Sequence, residues 1–383
     1  MKAVIAFGTK PCTIKMAPLV KECESRGHKT TILYTGQHWS PNLYSELFDD
    51  LELRYPDYNM RCGEESYSLN QLATNILQRT EHVLKEVKPD MVFTHGDTTT
   101  SMAVSLAAQL SLVPVFHVEA GLRTFSKEPF PEQLNTRVSD AASDVFFAPV
   151  ERNAQNLLSE GFPRERIFTV GNTVIDIAKW AAERNADVAK KYGLEKPLIY
   201  FSIHRRETTM DRERFSGPVE AMLEMDEFKF FVSMRPGTRA ALEKYGLLKK
   251  IEKAGHISVY DSIPSYIETI AIMKQCDAIL SDSGSMPEEA SALNIPFLTA
   301  RYICDRPETV AAGSNIVVGL RKETVIENVR RVMGNPEFRE KMVSAPSPYG
   351  QGDTSKKILD ISEKLFAEGN LLRFENGVTT RNV

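Results

Sequence analysis

Short apolar, β-branched runs alternate in the first half of the chain with stretches whose apolar positions recur every three or four residues. The runs predict strands at residues 3–7, 29–34, 91–94, 113–117 and 145–148, the last closing the series. The periodic stretches predict helices at 13–25, 69–86, 99–110 and 132–143. A second series follows. Gly171-Asn-Thr-Val-Ile-Asp176 leads into a helix through Trp180, and the polar stretch 185–196 reads as a crossover between domains. Strands are then expected at 197–202, 228–233, 256–260, 277–280 and 296–299, with helices between them and a final amphipathic helix at 356–366.

Strands that recur with helices between them predict an α/β fold of two Rossmann-like, doubly wound parallel-sheet domains. The expected limits are 1–172 and 173–355, with a final helix at 356–368 packing back on the first domain and a polar tail at 369–383. A length of 383 residues with 42% hydrophobic content is enough for two cores. Two such halves presenting strand ends to one cleft give a glycosyltransferase-B-like layout, with the active site expected in the interdomain cleft.

Charge narrows the choice of ligand. The 47 basic residues nearly balance 51 acidic ones, which argues against nucleic acid or an anionic membrane as partner, so any bound anion must be met locally. The five cysteines are scattered without metal-ligand spacing, as in a reduced cytoplasmic protein. The sequence contains neither a signal peptide nor an apolar run long enough to span a bilayer.

Parallel sheets bind ligands at the carboxyl ends of their strands, and polar residues concentrate there. Gly8-Thr-Lys10 and Lys15 follow the first strand, His95-Gly-Asp97 another, and His117-Val-Glu-Ala-Gly-Leu-Arg123 the next, while Glu132 opens a helix. Each carboxylate alone reads more simply as a cap. Together, Asp97, Glu119 and Glu132 could face one site, where repulsion and burial would set an acid beside a base. In the second half, His204-Arg-Arg206 ends one strand, and Ser281-Asp-Ser-Gly-Ser-Met-Pro-Glu-Glu-Ala290 reads as strand end, tight turn and helix start. Ser283, Gly284 and Ser285 could present backbone N–H groups to a phosphate, with Glu288 or Glu289 placed to accept from ribose hydroxyls; a capped helix start is the plainer alternative.

These motifs, with Gly171-Asn-Thr-Val-Ile-Asp176, Asp282-Ser-Gly284 and Arg306-Pro-Glu308, resemble those of the non-hydrolysing UDP-N-acetylglucosamine 2-epimerases, in the same order and over nearly the whole chain. The resemblance implies a homodimeric enzyme that interconverts UDP-N-acetylglucosamine and UDP-N-acetylmannosamine, or a related UDP-sugar, with no cofactor and no metal. It assigns Asp97, Glu119, Glu132 and His204 to catalysis. To substrate binding it assigns Lys10, Lys15, Arg123, Arg205, Ser283, Gly284, Ser285 and Glu289. Lys15 and His204 would lie near the phosphates. The chain departs from the family pattern at Lys10 (usually arginine), Cys12 and Gln133 (usually glutamate), Thr136 (usually arginine), Ser285 (usually glycine) and Pro287 (usually glutamine). A hydrolysing relative, a transferase of the same architecture and a catalytically impaired binding protein remain open alternatives. Many relatives bind an activating second nucleotide-sugar through a Gln-His-Arg stretch; Gln37-His38-Trp39-Ser40-Pro41 at this place predicts that the activator site is lost.

Overall fold

The computed structural model describes residues 1–38, 41–184, 187–261, 263, 265–369, 371, 373–375 and 378–380. They form two units, one of Met1–Ile177 with Tyr349–Val383, the other of Ala178–Pro348. Trp39 and Ser40, on which the activator expectation rests, lie outside the described residues.

The first unit holds strands β1 (Lys2–Phe7), β2 (Lys29–Tyr34), β3 (Tyr58–Asn59), β4 (Met91–His95), β5 (Val115–Val118), β6 (Val145–Ala148) and β7 (Ile167–Thr169). They pair in parallel in the order β3-β2-β1-β4-β5-β6-β7. The second unit holds β8 (Leu198–Ser202), β9 (Lys229–Met234), β10 (Ile257–Asp261), β11 (Ala278–Ser281), β12 (Phe297–Thr299) and β13 (Asn315–Val317), parallel in the order β10-β9-β8-β11-β12-β13. In each sheet the direction of winding reverses once, between β1 and β4 and between β8 and β11. The loops leaving those strands diverge there and leave a crevice for a ligand. Gly8 to Lys10 and His95 to Asp97 leave the first pair; His204 and Asp282 to Ser285 leave the second.

Helices on both faces explain why the strands read as continuous apolar runs: β4, β5, β6 and β8 are buried at every residue. Phe93, Phe116 and Phe147 continue the core across β4, β5 and β6, with ring centroids 5.3 and 6.1 Å apart.

The structure corrects several expectations. The first series closes at β7, not at 145–148, and β13 was not foreseen; each has a single buried residue, too little to show a periodicity. The crossover stretch carries a helix, Val188–Tyr192. The polar tail contains an antiparallel pair, β14 (Arg373–Glu375) and β15 (Val378–Thr380). Among the described residues no helix is long and apolar enough to cross a membrane.

Gly171-Asn-Thr-Val-Ile-Asp176 fastens the returning chain to the first unit. Gly171 has φ +97°, and a Cβ there would come 2.5 Å from the Tyr349 carbonyl oxygen, so only glycine permits the approach. Asn172 N–H donates to that oxygen at 2.9 Å. The half-buried Asp176 carboxylate accepts from the backbone N–H groups of Thr354 (3.1 Å) and Ser355 (2.7 Å), which begin helix Thr354–Ala367. That helix packs on helix Lys10–Ser25 and buries Ile358, Leu359 and Leu365. Replacing Asp176 by Ala leaves two N–H groups without their acceptor, and a loss of about 2–4 kcal/mol in unfolding free energy is expected from denaturant titration.

Candidate functional site

In the first unit three adjacent strands deliver one buried cluster. Lys15 projects from helix Lys10–Ser25, which follows β1; His95 ends β4; Glu119 follows β5. Glu119 Oε2 lies 2.7 Å from Lys15 Nζ and 2.9 Å from His95 Nε2. The Lys15, Glu119 and His95 side chains are only 11%, 5% and 4% exposed. Glu119 also has φ +64°, a conformation costing a non-glycine residue on the order of 1–3 kcal/mol and characteristic of functional positions. Burial opposes a charge on His95, but Cys12 and Glu119 beside it outweigh that and push its pKa up to about 9.

Hydrogen bonds tie the segments that carry Asp97 and Glu132 to this frame. The half-buried Asp97 lies two residues beyond His95, and its carbonyl oxygen accepts from Asn135 Nδ2 at 3.0 Å. Asn135 belongs to helix Glu132–Ala141, whose first residue is the half-buried Glu132. Gln133 Oε1 accepts from Thr124 N–H at 2.9 Å, tying the start of that helix to the loop after Glu119. Thus Gln133 serves as a loop brace. His117 Nε2–H donates to the Gly96 carbonyl at 2.8 Å, and Nδ1 lies 2.7 Å from Asp140 Oδ1, joining the β4 and β5 loops. Lys10 is the half-buried first residue of its helix.

Arg123 does not join the cluster. Its Nε and Nη2 donate to the two oxygens of Glu160 at 2.7 and 2.6 Å, and Nη1 lies 2.7 Å from Asp140 Oδ2. With the guanidinium enclosed by two carboxylates and its side chain fully buried, Arg123 is a fastening of the loop rather than a ligand for substrate. Lys15 likewise lies on Glu119.

In the second unit Asp282, just beyond β11, accepts from the backbone N–H groups of His204 and Arg205, each at 2.9 Å, and so fixes the loop after β8. Burial and the positive charges of Arg235 and Arg205 push the His204 pKa down to about 3, leaving a neutral ring at ordinary pH. Ser281 Oγ donates to the Ser202 carbonyl at 2.6 Å and accepts from Ser283 N–H at 3.1 Å, which shapes the turn. Ser283 Oγ in turn accepts from Met286 N–H at 3.4 Å, and Pro287 sits in the first turn of helix Met286–Ala292. Ser285 is exposed at the cap position. A Cβ on Gly284 would come 2.2 Å from Arg205 Nη2, so the guanidinium lies directly over this glycine. Arg205 Nη2 and Arg301 Nη1 both reach Asp305 Oδ2, at 2.5 and 2.6 Å. Glu289 is half-buried beside the buried Tyr266, whose phenol is pushed well up by burial and by that carboxylate.

The sequence reading names His95 and Asp282 only within strand-end motifs, without a role of their own, and does not single out Arg235, Arg301 and Asp305. Arg235 and Arg301 stand just beyond predicted strand ends, and that position was the available signal. Gln37, read only as an activator-site residue, accepts from Thr100 N–H and Thr100 Oγ1, both at 2.9 Å, and braces helix Thr99–Leu110.

Comparison with known proteins places the chain in a family. Residues 21–363 match the family model described as UDP-N-acetylglucosamine 2-epimerase. The UDP-N-acetylglucosamine 2-epimerase of Methanocaldococcus jannaschii is 34% identical over 370 residues, covering 94% of this chain and 98% of that protein. The crystal structure of UDP-GlcNAc 2-epimerase from Neisseria meningitidis bound to UDP-GlcNAc matches with a TM-score of 0.84 at 32% identity, over 95% of this chain and 100% of that one. The Methanocaldococcus jannaschii structure in complex with UDP-GlcNAc and UDP gives 0.81 at 33% identity, over 95% and 100%. The two parallel-sheet units thus have the glycosyltransferase-B-like fold of these neighbours.

Two outcomes are expected. Arg123→Met removes the guanidinium beside buried Asp140 and should lower unfolding free energy by roughly 3–5 kcal/mol in denaturant titration. The two histidines should also shape stability against pH in opposite senses. For His95 the folded pKa is raised, so its contribution is complete below 6.5 and is lost as pH rises through about 9. For His204 the folded pKa is lowered, so its contribution is present above 6.5 and is lost as pH falls through about 3. Thermal melts across this range should show His95→Gln flattening the alkaline decline and His204→Gln the acid one.

Proposed function

Because this chain belongs to the UDP-N-acetylglucosamine 2-epimerase family, we propose that it inverts C2 of UDP-N-acetylglucosamine to give UDP-N-acetylmannosamine, or acts likewise on a related UDP-2-acetamido sugar. The observation that carries this reading is the set of three carboxylates, Asp97, Glu119 and Glu132, on loops braced together at the carboxyl ends of β4 and β5. A protein that only bound a nucleotide-sugar would have no need for them.

The C2 hydrogen is not acidic, so its removal must accompany departure of UDP. A carboxylate takes the proton, the C–H electron pair becomes the C1=C2 bond, and the C1–O electrons leave with the diphosphate. The products of this step are a 2-acetamidoglucal and UDP, both held by the protein. Protonation of C2 from the opposite face, with return of the diphosphate oxygen to C1, completes the inversion. The nucleotide end of the reaction falls to the second unit. There Ser283, Gly284 and Ser285 form the turn for the diphosphate, Arg205 and neutral His204 flank it, and Glu289 receives the ribose hydroxyls. Lys10 adds a positive charge for the leaving phosphate, without the bidentate fork that an arginine would offer.

The same reading makes the protein a cytoplasmic homodimer. Leu106, Leu110 and Leu112, 36%, 71% and 52% exposed at the end of helix Thr99–Leu110, offer an apolar patch for such a contact.

Incubation with UDP-N-acetylglucosamine in deuterium oxide should place deuterium at C2 of both epimers. Accumulation of free sugar instead would mark a hydrolase, and no reaction with any UDP-2-acetamido sugar would mark a binding protein. Asp97→Asn and Glu132→Gln should each fold normally and lose about 10²–10⁴-fold in turnover.

A further inference from the structure

Glu119 differs from the other two carboxylates in what surrounds it. Lys15 Nζ and His95 Nε2 converge on one and the same oxygen, Oε2, at 2.7 and 2.9 Å, in a place almost closed to water. An ionised carboxylate gains from both neighbours, whereas a protonated one would gain little from the ammonium and would leave it buried without its counter-charge. His95 and Glu119 come from the ends of adjacent strands β4 and β5, and Lys15 from the helix that follows β1, the strand next to β4. Glu119 itself holds a left-handed backbone conformation. Cys12, whose sulfur lies 4.0 Å from the His95 carbonyl, is the other titratable group acting on His95, and Asp97 follows two residues beyond it in the chain. By contrast, Asp97 and Glu132 are half-buried on the surrounding loops.

We infer that Lys15 and His95 are positioning residues that keep Glu119 a fixed anion throughout the reaction, and that Asp97 and Glu132 carry the C2 proton on the two faces of the sugar. The inference rests on the epimerase reading above. One of Asp97 and Glu132 begins ionised, takes the C2 proton and becomes a carboxylic acid; the other begins protonated and gives its proton to C2 as the diphosphate oxygen re-forms its bond to C1. The two have then exchanged states, and the reverse reaction uses them in the opposite order. Glu119 neither gains nor loses a proton. Its charge offsets the positive charge that develops at C1 while the bond to UDP lengthens. The elevated proton affinity of His95 agrees with this arrangement.

The test compares pH profiles of kcat/KM with solvent exchange. In His95→Gln and in Lys15→Met, Glu119 should begin to protonate in the working range, moving the acid limb of the profile up by one pH unit or more. Lys15→Arg, which keeps the charge, should restore the limb to its original place. Glu119→Gln should slow turnover about 100-fold yet leave that limb unmoved, and should still exchange the C2 hydrogen of both epimers with deuterium oxide. A limb unmoved in both His95→Gln and Lys15→Met, or loss of C2 exchange in Glu119→Gln while Asp97→Asn or Glu132→Gln retains it, would overturn the inference. ¹⁵N-histidine NMR reads the arrangement without substrate: His95, assigned by the signal missing in His95→Gln, should be doubly protonated at neutral pH in the unaltered protein and neutral in Glu119→Gln. An epimerisation failure in the unaltered protein would therefore count against the family reading, whereas a neutral His95 would count against the fixed anion.

Discussion

A carboxylate taken out of water must be met by donors, and most of the loops that matter here are held by that demand. Asp140 receives His117, Arg123 and the Gly121 N–H, and so fixes the loop beyond Glu119. Asp282 receives the N–H groups of His204 and Arg205, and Asp176 those of Thr354 and Ser355. Asp140 and Asp282 are fully buried and Asp176 is half-buried, and none needs to react. Their service is to make each loop take one course, so that residues at neighbouring strand ends meet at fixed distances. Glu119 is built on the same principle, but its donors are two cationic side chains rather than backbone groups, and the charge they hold is available to chemistry.

The sequence made the strands buried on both faces plain, because only such strands present unbroken apolar runs. Strands β2 and β6 and helix Thr99–Leu110 lie at the expected residues. Edge strands were harder: β7 and β13 have one buried residue each, and their polar positions look like loop. The pair β14 and β15 did carry a signal, since Asn376-Gly377 between two short runs favours a hairpin. At the site, residue type and strand-end position single out Asp97, Glu119, Glu132 and His204 as candidates. They did not suffice for Arg123, whose position near Glu119 suggested a ligand contact. Only folding brings Glu160, 37 residues away, onto its guanidinium. The meeting of Lys15 with Glu119 spans 104 residues and has no local trace.

Charge balance differs between the two ends of the proposed chemistry. Around the phosphate turn, Arg205 and Arg301 share Asp305, and Arg306 lies 2.8 Å from Glu288. Positive charge is thus present but restrained, and a diphosphate would be met largely by turn N–H groups and by guanidinium groups already fixed in place. Around Glu119, two cations face one anion. Cys12 belongs to the same neighbourhood, and with Glu119 it raises the proton affinity of His95.

The first unit is made of two separated parts of the chain, Met1–Ile177 and Tyr349–Val383, with the whole of the second unit between them. During synthesis, Leu198 through Val317 and their helices leave the ribosome before helix Thr354–Ala367 exists, so the second sheet can be complete while the first still lacks one of its covering helices. Until then the face of helix Lys10–Ser25 that will receive that helix stays uncovered, as do the acceptor oxygens of Asp176. The unit begun first is therefore finished last, and the nascent chain carries an open apolar seam for the time needed to translate the 171 residues of Ala178–Pro348.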